Sequence, residues 1–363
     1  MKTSLFVITA CTLLAARVPG QAPRAAGSKK SSAQSDIPLR QLADRVGIKI
    51  GAAVAPVVFR QDPEFRETLA REYNSAESVT IFKLVHPQRD RFNFTEMDQE
   101  AAFARDHGMT LFGGPLIYKP AALPDWMHSL LWTQSELDAV TREHIQTVIR
   151  HGGGIFSAWE VVNEPLTTRN APWGTTFSTE EYVARAFRYA REANPNAVLV
   201  LNQSFGRTGV EPDLANRFFD LVAKVKAKGG PIDAAGIEMH LEMPGLRPTY
   251  LDEFRSFLDR CHRAGIQVYV TEMDAYQGPP GAIPDAFQRQ KAVYHDVMAA
   301  CLASPACKAF YTWGISDSHN MYQSRPRDPL PDAKPLPFDE NYQKKPAYYG
   351  LQQALEERLS KGK

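Results

Sequence analysis

Ala158-Trp159-Glu160-Val161-Val162-Asn163-Glu164-Pro165 and Val268-Tyr269-Val270-Thr271-Glu272-Met273-Asp274 are the two stretches on which the fold turns. Each is a run of apolar and β-branched residues that stops at a carboxylate. That pattern belongs to a buried parallel strand opening onto a site. A (β/α)8 TIM barrel gathers strand ends from distant parts of a chain at one face, where its catalytic groups sit. Two glutamates delivered in this way, Glu164 and Glu272, could supply the acid and the nucleophile for glycoside hydrolysis. Pro165 ends the ladder after Glu164 and turns the chain out of the strand. The two-residue period puts Val268 and Val270 on the side of Glu272, so a charge extends a buried apolar face and needs a partner or a task. Asp274 shares that face and reads more simply as a helix or loop cap.

Working outward, strand-like segments fall at 46–54, 78–84, 110–113, 155–163, 197–202, 235–240, 267–272 and 309–315. Helical patterns lie between several of them. Over 135–150, Leu137, Val140, Ile145, Val148 and Ile149 fall on one face. Ser178-Thr179-Glu180-Glu181 reads as a capping box opening a helix through Ala193. Thr249 reads as the cap of a helix carrying Leu251, Phe254, Phe257 and Leu258. Eight strand–helix units in one domain fit a (β/α)8 barrel better than an open doubly wound sheet. No glycine-rich phosphate loop follows the first strand, which argues against a nucleotide site.

The chain has 363 residues, 44% hydrophobic and 23% charged, enough for a large core. A formal net charge of +1 gives no electrostatic case for nucleic acid. Lys2, the apolar run Leu5 to Ala16 and the small residues near Pro19-Gly20-Gln21-Ala22 read as an export signal over 1–22. Residues 23–38 read as a disordered linker, and 39–363 as the barrel domain. Secreted or periplasmic placement is the corresponding expectation. Ile8-Thr9-Ala10-Cys11 resembles a lipoprotein box, the lesser reading. No stretch is long enough to span a bilayer. Cys301 and Cys307 are near enough in sequence to bridge a small loop, leaving Cys261 as a buried thiol. No CxxC pair or His/Cys cluster suggests a metal, so no cofactor is expected, and a monomer is.

Several segments, in order, resemble glycoside hydrolase family 10, best known as endo-β-1,4-xylanases. Trp159-Glu160-Val161-Val162-Asn163-Glu164 resembles the family's WDVVNE segment, and Val270-Thr271-Glu272-Met273-Asp274 its ITELD segment. Ala235-Gly236-Ile237-Glu238-Met239-His240 resembles GIGLQSH on the sixth strand. Cys301 to Cys307 followed by Tyr311-Thr312-Trp313-Gly314-Ile315-Ser316-Asp317 resembles the paired cysteines and the VWGVTD strand. Pro87-Gln88-Arg89 through Phe92-Asn93-Phe94, and Pro335-Leu336-Pro337-Phe338-Asp339 with the segment 341–348, also match. The resemblance covers about 45–356. It implies a retaining mechanism in which Glu164 protonates the glycosidic oxygen and Glu272 forms a glycosyl-enzyme on a β-linked polysaccharide or oligosaccharide, with xylan the first candidate. It further implies that Asn163 bonds the sugar 2-hydroxyl, that His240 orients Glu272, and that Trp313 lines the cleft by stacking.

The departures cluster where the family grips its sugar. In the second-strand segment Glu77 is kept, but asparagine is Ser78 and lysine is Ile81. Lys83, two residues on, is a weak substitute. On the third strand histidine is Gly114 and tryptophan is Tyr118. The sixth-strand glutamine is Glu238, the fifth-strand pair is Asn202 and Gln203, and a second tryptophan is Met321. Gly114 and Met321 read as opened volume for a bulky substituent. Glu238 adds a carboxylate beside the expected nucleophile, to perturb neighbouring acids or to bind a cationic or hydroxyl-rich group. Two other readings stand beside the xylanase one: a divergent hydrolase of another β-linked glycan or substituted glycoside, and a non-catalytic carbohydrate-binding barrel.

Overall fold

The computed structural model describes residues 36–128, 131–168, 170–323 and 329–361. The export signal, the Cys11 reading and all but the end of the linker segment lie outside the described residues. The chain divides after Asp36, and the folded unit is Ile37–Lys363.

Eight parallel strands form a closed barrel: β1 (Lys49–Val54), β2 (Ser75–Val79), β3 (Thr110–Gly114), β4 (Phe156–Asn163), β5 (Val198–Ser204), β6 (Ala234–Glu238), β7 (Gln267–Tyr276) and β8 (Cys307–Thr312). Each pairs with the next in sequence, and β8 pairs with β1 to close the ring. The three-residue strand His240–Glu242 continues past β6 along β7. Helices connect the strands, the longest being Gln134–Gly152 and Ala286–Ala303. The expected (β/α)8 architecture is what the chain forms.

The local signals worked unevenly. Thr133 and Glu136 make the capping box that starts Gln134–Gly152. The box expected at Ser178 is not made, although its helix, Thr179–Ala193, forms. Thr249 directs its hydroxyl to Glu253 Oε1 at 2.7 Å rather than to a helix amide. The second strand is the largest correction. It runs Ser75–Val79, not over 78–84, and Phe82–Val85 is a helical turn. That apolar turn packs away from the barrel, with Phe82 stacked on His144 at 3.7 Å. A short apolar run reads alike as strand or buried helix.

The core has two layers. Phe112, Ala158, Val200, Ala234, Tyr269, Ala309 and Tyr311 form one buried cluster inside the barrel. A larger one lies between barrel and helices and takes in Trp159, Val161, Val162, Val268, Val270 and Met273. The strand registers slip at four places, and two of these slips lie beside the cleft. In β4 the register against β5 slips by one residue between Glu160 and Val162. Val161 and Val162 then both face the helices, and Asn163 returns to the inside. In β7 the register against β8 slips between Val270 and Met273. Val268 and Val270 therefore belong to the outer layer, and Glu272 does not share their side, contrary to the simple period. A bulge of this kind re-aims a side chain beside a site.

Cys301 and Cys307 are joined in a disulfide, and Cys261 is a buried free thiol, its pKa pushed up to about 12 by burial. Past β8 the chain is pinned by Lys345. Its ammonium bonds Asp317 Oδ2 at 2.6 Å and the carbonyls of Lys334 and Leu336 at 2.8 Å. Burial lifts the Asp317 pKa to about 6 and lowers that of Lys345, so desolvation outweighs their attraction in each. Lys345→Met strands a buried carboxyl and is expected to lower unfolding free energy by about 3–5 kcal/mol in urea titrations. Adding Asp317→Leu should recover much of that loss; no recovery would contradict the pairing.

Candidate active site

The strand ends converge on one cleft of about 430 Å³. Glu77 comes from β2, Glu160 and Asn163 from β4, and Glu238 from β6. His240 follows β6 and Glu272 comes from β7. Glu164 sits one residue past β4, Tyr118 follows β3, and Trp313 follows β8. Asn202 and Asp274 are buried and touch the cleft residues from behind. All nine residues singled out from the sequence as catalytic or supporting therefore meet at one place.

Glu164 is held from both ends. Its backbone takes the left-handed region at φ +47°, uncommon for a residue other than glycine. That conformation is fixed by its N–H donating to Asn202 O at 3.0 Å and its carbonyl accepting from the Thr168 N–H at 3.0 Å. The carboxylate accepts from Tyr118 Oη at 2.6 Å and from Thr167 Oγ1 at 3.3 Å. Gln203 steadies the following loop through the Leu166 N–H and Thr167 Oγ1. Burial and Glu164 push the Tyr118 pKa up, so the phenol acts here as a donor.

Glu272 has a different set of partners. Its Oε1 accepts from Asn202 Nδ2 at 3.2 Å, and its Oε2 lies 2.8 Å from His240 Nε2. Asn202 also donates to Asn163 Oδ1 at 3.3 Å and accepts from Thr271 Oγ1 at 2.9 Å. His240 Nδ1 lies 2.8 Å from Asp274 Oδ2, and Tyr322 Oη donates to Asp274 Oδ1 at 2.8 Å. Asp274 is thus no cap: it anchors a relay of four side chains, Tyr322–Asp274–His240–Glu272. Burial pulls the His240 pKa down, but Asp274 and Glu272 outweigh it and hold the ring well above its ordinary 6.5. Carboxylates at both nitrogens make His240 an imidazolium that donates to each.

Three acids in the cleft are poorly served. Glu77, Glu160 and Glu238 are 1%, 1% and 6% exposed. Burial raises all three pKa values well above the carboxylate range, and neighbouring acids raise them further. In the sequence, Glu160 stands at the position of the aspartate in the family's WDVVNE segment. Its signal is the aspartate-to-glutamate change beside a histidine-to-glycine change, and the two belong together. A Cβ on Gly114 would lie 2.5 Å from Glu160 Cβ and 2.7 Å from its carbonyl oxygen. Gly114 therefore opens no room for a substituent; it lets the Glu160 backbone approach. Lys83 is no substitute for the lost lysine either, since its ammonium bonds the Ala121 carbonyl at 2.9 Å outside the cleft. Glu238, His240 and Glu272 have donor atoms within 4.8 Å of one another, a spacing compatible with a cation.

The family model described as glycosyl hydrolase family 10 matches residues 38–354. Endo-1,4-beta-xylanase B of Thermotoga neapolitana is 31% identical over 343 residues, 92% of this chain and 96% of that protein. Endo-1,4-beta-xylanase 1 of Humicola insolens is 29% identical over 336 residues, 90% of this chain and 76% of that protein. Among solved structures, native xylanase 10B from Thermotoga maritima superposes with a TM-score of 0.81 at 32% identity, covering 90% of this chain and 100% of that one.

The His240 charge state is directly observable. Nitrogen NMR at pH 7 should show both ring nitrogens protonated. Because its folded pKa is raised, His240 contributes stability that is complete below about 6.5 and is lost as pH rises through the folded value. Asp274→Asn should therefore reduce unfolding free energy most below pH ~6.5, with the difference narrowing in more alkaline buffer. A neutral ring at pH 7, or a pH-independent difference, would contradict the relay.

Proposed function

The chain belongs to glycosyl hydrolase family 10, and from that membership we propose that it hydrolyses a β-1,4-linked xylan-type glycan with retention at the anomeric carbon. At the coarser level it is a glycoside hydrolase resembling the endo-1,4-β-xylanases. Glu164 is the acid/base and Glu272 the nucleophile. The observation that carries this is their placement: both line one cleft, from the ends of β4 and β7, and each is bonded by its own partners.

In the first step the Glu272 carboxylate attacks the anomeric carbon while Glu164 gives its proton to the leaving oxygen. A glycosyl ester on Glu272 results. In the second step Glu164 takes a proton from water, which displaces the sugar from Glu272. Retention calls for two carboxyls about 5–5.5 Å apart, and that is the separation expected of Glu164 and Glu272 with sugar bound. His240 and Asn202 bond one Glu272 oxygen each, fixing the carboxylate for attack. Asn163, bridged to Asn202, presents its side chain to the sugar 2-hydroxyl, a contact that strengthens toward the transition state. Trp313, edge-on to His240 with ring centroids 5.8 Å apart, gives the sugar a face to stack on.

A more substituted substrate is the second reading, and one observation favours it. A neighbouring hollow of about 440 Å³ shares Val79, Trp313 and Met321 with the cleft and includes Ala53, Val58 and Phe65 in its wall. An apolar group on the bound sugar has somewhere to go there. Residues 1–22 complete the proposal as an export signal, and the Cys301–Cys307 disulfide suits an oxidising compartment. N-terminal sequencing of the exported protein should begin near residue 22; retention of Met1 would remove the signal.

Two kinetic outcomes test the roles. Glu164→Gln and Glu272→Gln should each reduce kcat on xylo-oligosaccharides by about 10²–10⁴-fold or more while sugar binding persists. Wild-type hydrolysis rates in either variant would show the assigned roles to be wrong; absence of turnover in the wild-type protein with sugar binding intact would leave the binding-barrel reading standing. Proton NMR of the first product should show the β-anomer ahead of mutarotation, whereas an initial α-anomer would exclude the double displacement.

A further inference from the structure

Two cations in the cleft wall, Lys119 and Arg207, have no task in the reaction above. Lys119 follows β3, Glu164 follows β4 and Arg207 follows β5, so the three rise from one arc of the barrel mouth. Lys119 is exposed, with its ammonium 4.5 Å from the Tyr118 ring centroid. Arg207 is the sharper case. Its Nη1 is buried and has no hydrogen-bond partner among the described residues. Its Nε lies 3.8 Å from Glu242 Oε1, near enough to attract and too far to bond. Buried donors are ordinarily paired. A guanidinium carries five of them in a planar fork that matches a carboxylate.

The loop that bears Arg207 is built rather than loose. The Glu242 N–H donates to the Arg207 carbonyl at 2.7 Å, and the Arg247 N–H to the Thr208 carbonyl at 3.0 Å. Arg247 Nη1 adds a bond to Thr208 Oγ1 at 2.9 Å. Gly206 and Gly209 flank the segment at φ +109° and +134°, a backbone conformation that residues with a side chain rarely adopt. The backbone is therefore fixed while the guanidinium is not. The Arg207 side chain is 39% exposed, so a turn about its outer bonds carries Nη1 from a place without an acceptor to the open cleft.

The acids of the cleft do not oppose an anion there. Burial, with repulsion between neighbouring acids, holds Glu77, Glu160 and Glu238 well above the carboxylate range, so they stand as neutral groups. The charge on Glu272 faces the His240 imidazolium. Glu164, as the acid, enters the reaction protonated. The charge left without a bonded counterion is positive, and it lies on Arg207 and Lys119.

We propose that Arg207 binds a carboxylate carried by the substrate, so that the preferred glycan is a β-1,4-linked xylan-type backbone bearing uronic-acid side groups. The assignment rests on the reading of the cleft as a xylan-type hydrolase site and names a decoration on that substrate. A sugar hydroxyl would accept one N–H and leave the fork and the charge unused. A carboxylate accepts two parallel N–H bonds and meets the charge.

The test compares two ligands that differ only in that charge. One is a xylo-oligosaccharide carrying a single glucuronic acid side group; the other is the same compound with the carboxyl reduced to the alcohol. At pH 6 the wild-type kcat/KM should favour the acidic compound by about tenfold, the effect of a charge-assisted hydrogen bond. The preference should narrow in about 1 M salt. Arg207→Met, checked for folding by circular dichroism, should reduce the ratio to about twofold or less. Arg207→Lys should keep part of it, because the charge remains without the fork. A wild-type ratio near one, a preference for the reduced compound, or a full preference kept in Arg207→Met would overturn the proposal. Calorimetric titration of the same pair separates this from the underlying reading. Turnover of both compounds without preference removes only the acidic side group. Tighter binding of the acidic compound, lost in Arg207→Met, with turnover of neither removes only the hydrolase.

Discussion

A closed barrel allows alternate residues inside, and the chemistry of this one depends on breaking that alternation twice. One extra residue in β4 and one in β7 change which side chains face the cleft. Without the first, Val162 and not Asn163 would follow Glu160 inward. Without the second, Glu272 would share the outer side with Val268 and Val270, among the helices. The β4 slip sits toward the end of its strand and the β7 slip near the middle of its longer one; the barrel below keeps its two-layer packing and the mouth above gains two polar groups. Fold stability and site geometry are thereby kept in different parts of the same strands.

Behind the mouth, the polar residues form connected sets. Asn202 joins Glu272, Asn163 and Thr271 and, through its carbonyl, the Glu164 N–H. It touches both catalytic candidates without lining the cleft. The Tyr322–Asp274–His240 relay supplies charge to Glu272 from the other side. An imidazolium between two carboxylates fixes the orientation of each, which a neutral ring with one donor does less well. The Glu164 carboxylate stands outside these sets, on a strained backbone braced by Thr168 and by Thr167, which Gln203 holds. The two carboxyls are therefore bonded by separate groups.

Much of this is legible in the sequence. The strand-ending glutamates, the eight-fold alternation and the pairing of Cys301 with Cys307 can be read from residue pattern and family resemblance. The illegible parts arise from geometry that pattern does not encode. A two-residue period cannot announce a bulge, so it puts Val268 and Val270 on the wrong side. An apolar run at 81–85 carries no length or periodicity to separate strand from helix, so the pattern places β2 three residues late. Asp274 resembles a cap because its partners, His240 and Tyr322, come from distant segments. Gly114 resembles added space because the Glu160 backbone that fills it belongs to another strand.

The central claim is that Glu272, re-aimed into the cleft and held by His240 and Asn202, is the group that bonds covalently to the sugar. A 2-deoxy-2-fluoro aryl β-xylobioside slows release of a glycosyl-enzyme relative to its formation, and its adduct can be located by mass spectrometry of peptides. One equivalent of sugar on the peptide carrying Glu272, absent in Glu272→Gln, is the predicted result. Label on Glu77, Glu160 or Glu238, or none in a protein that still turns over xylo-oligosaccharides, would contradict it.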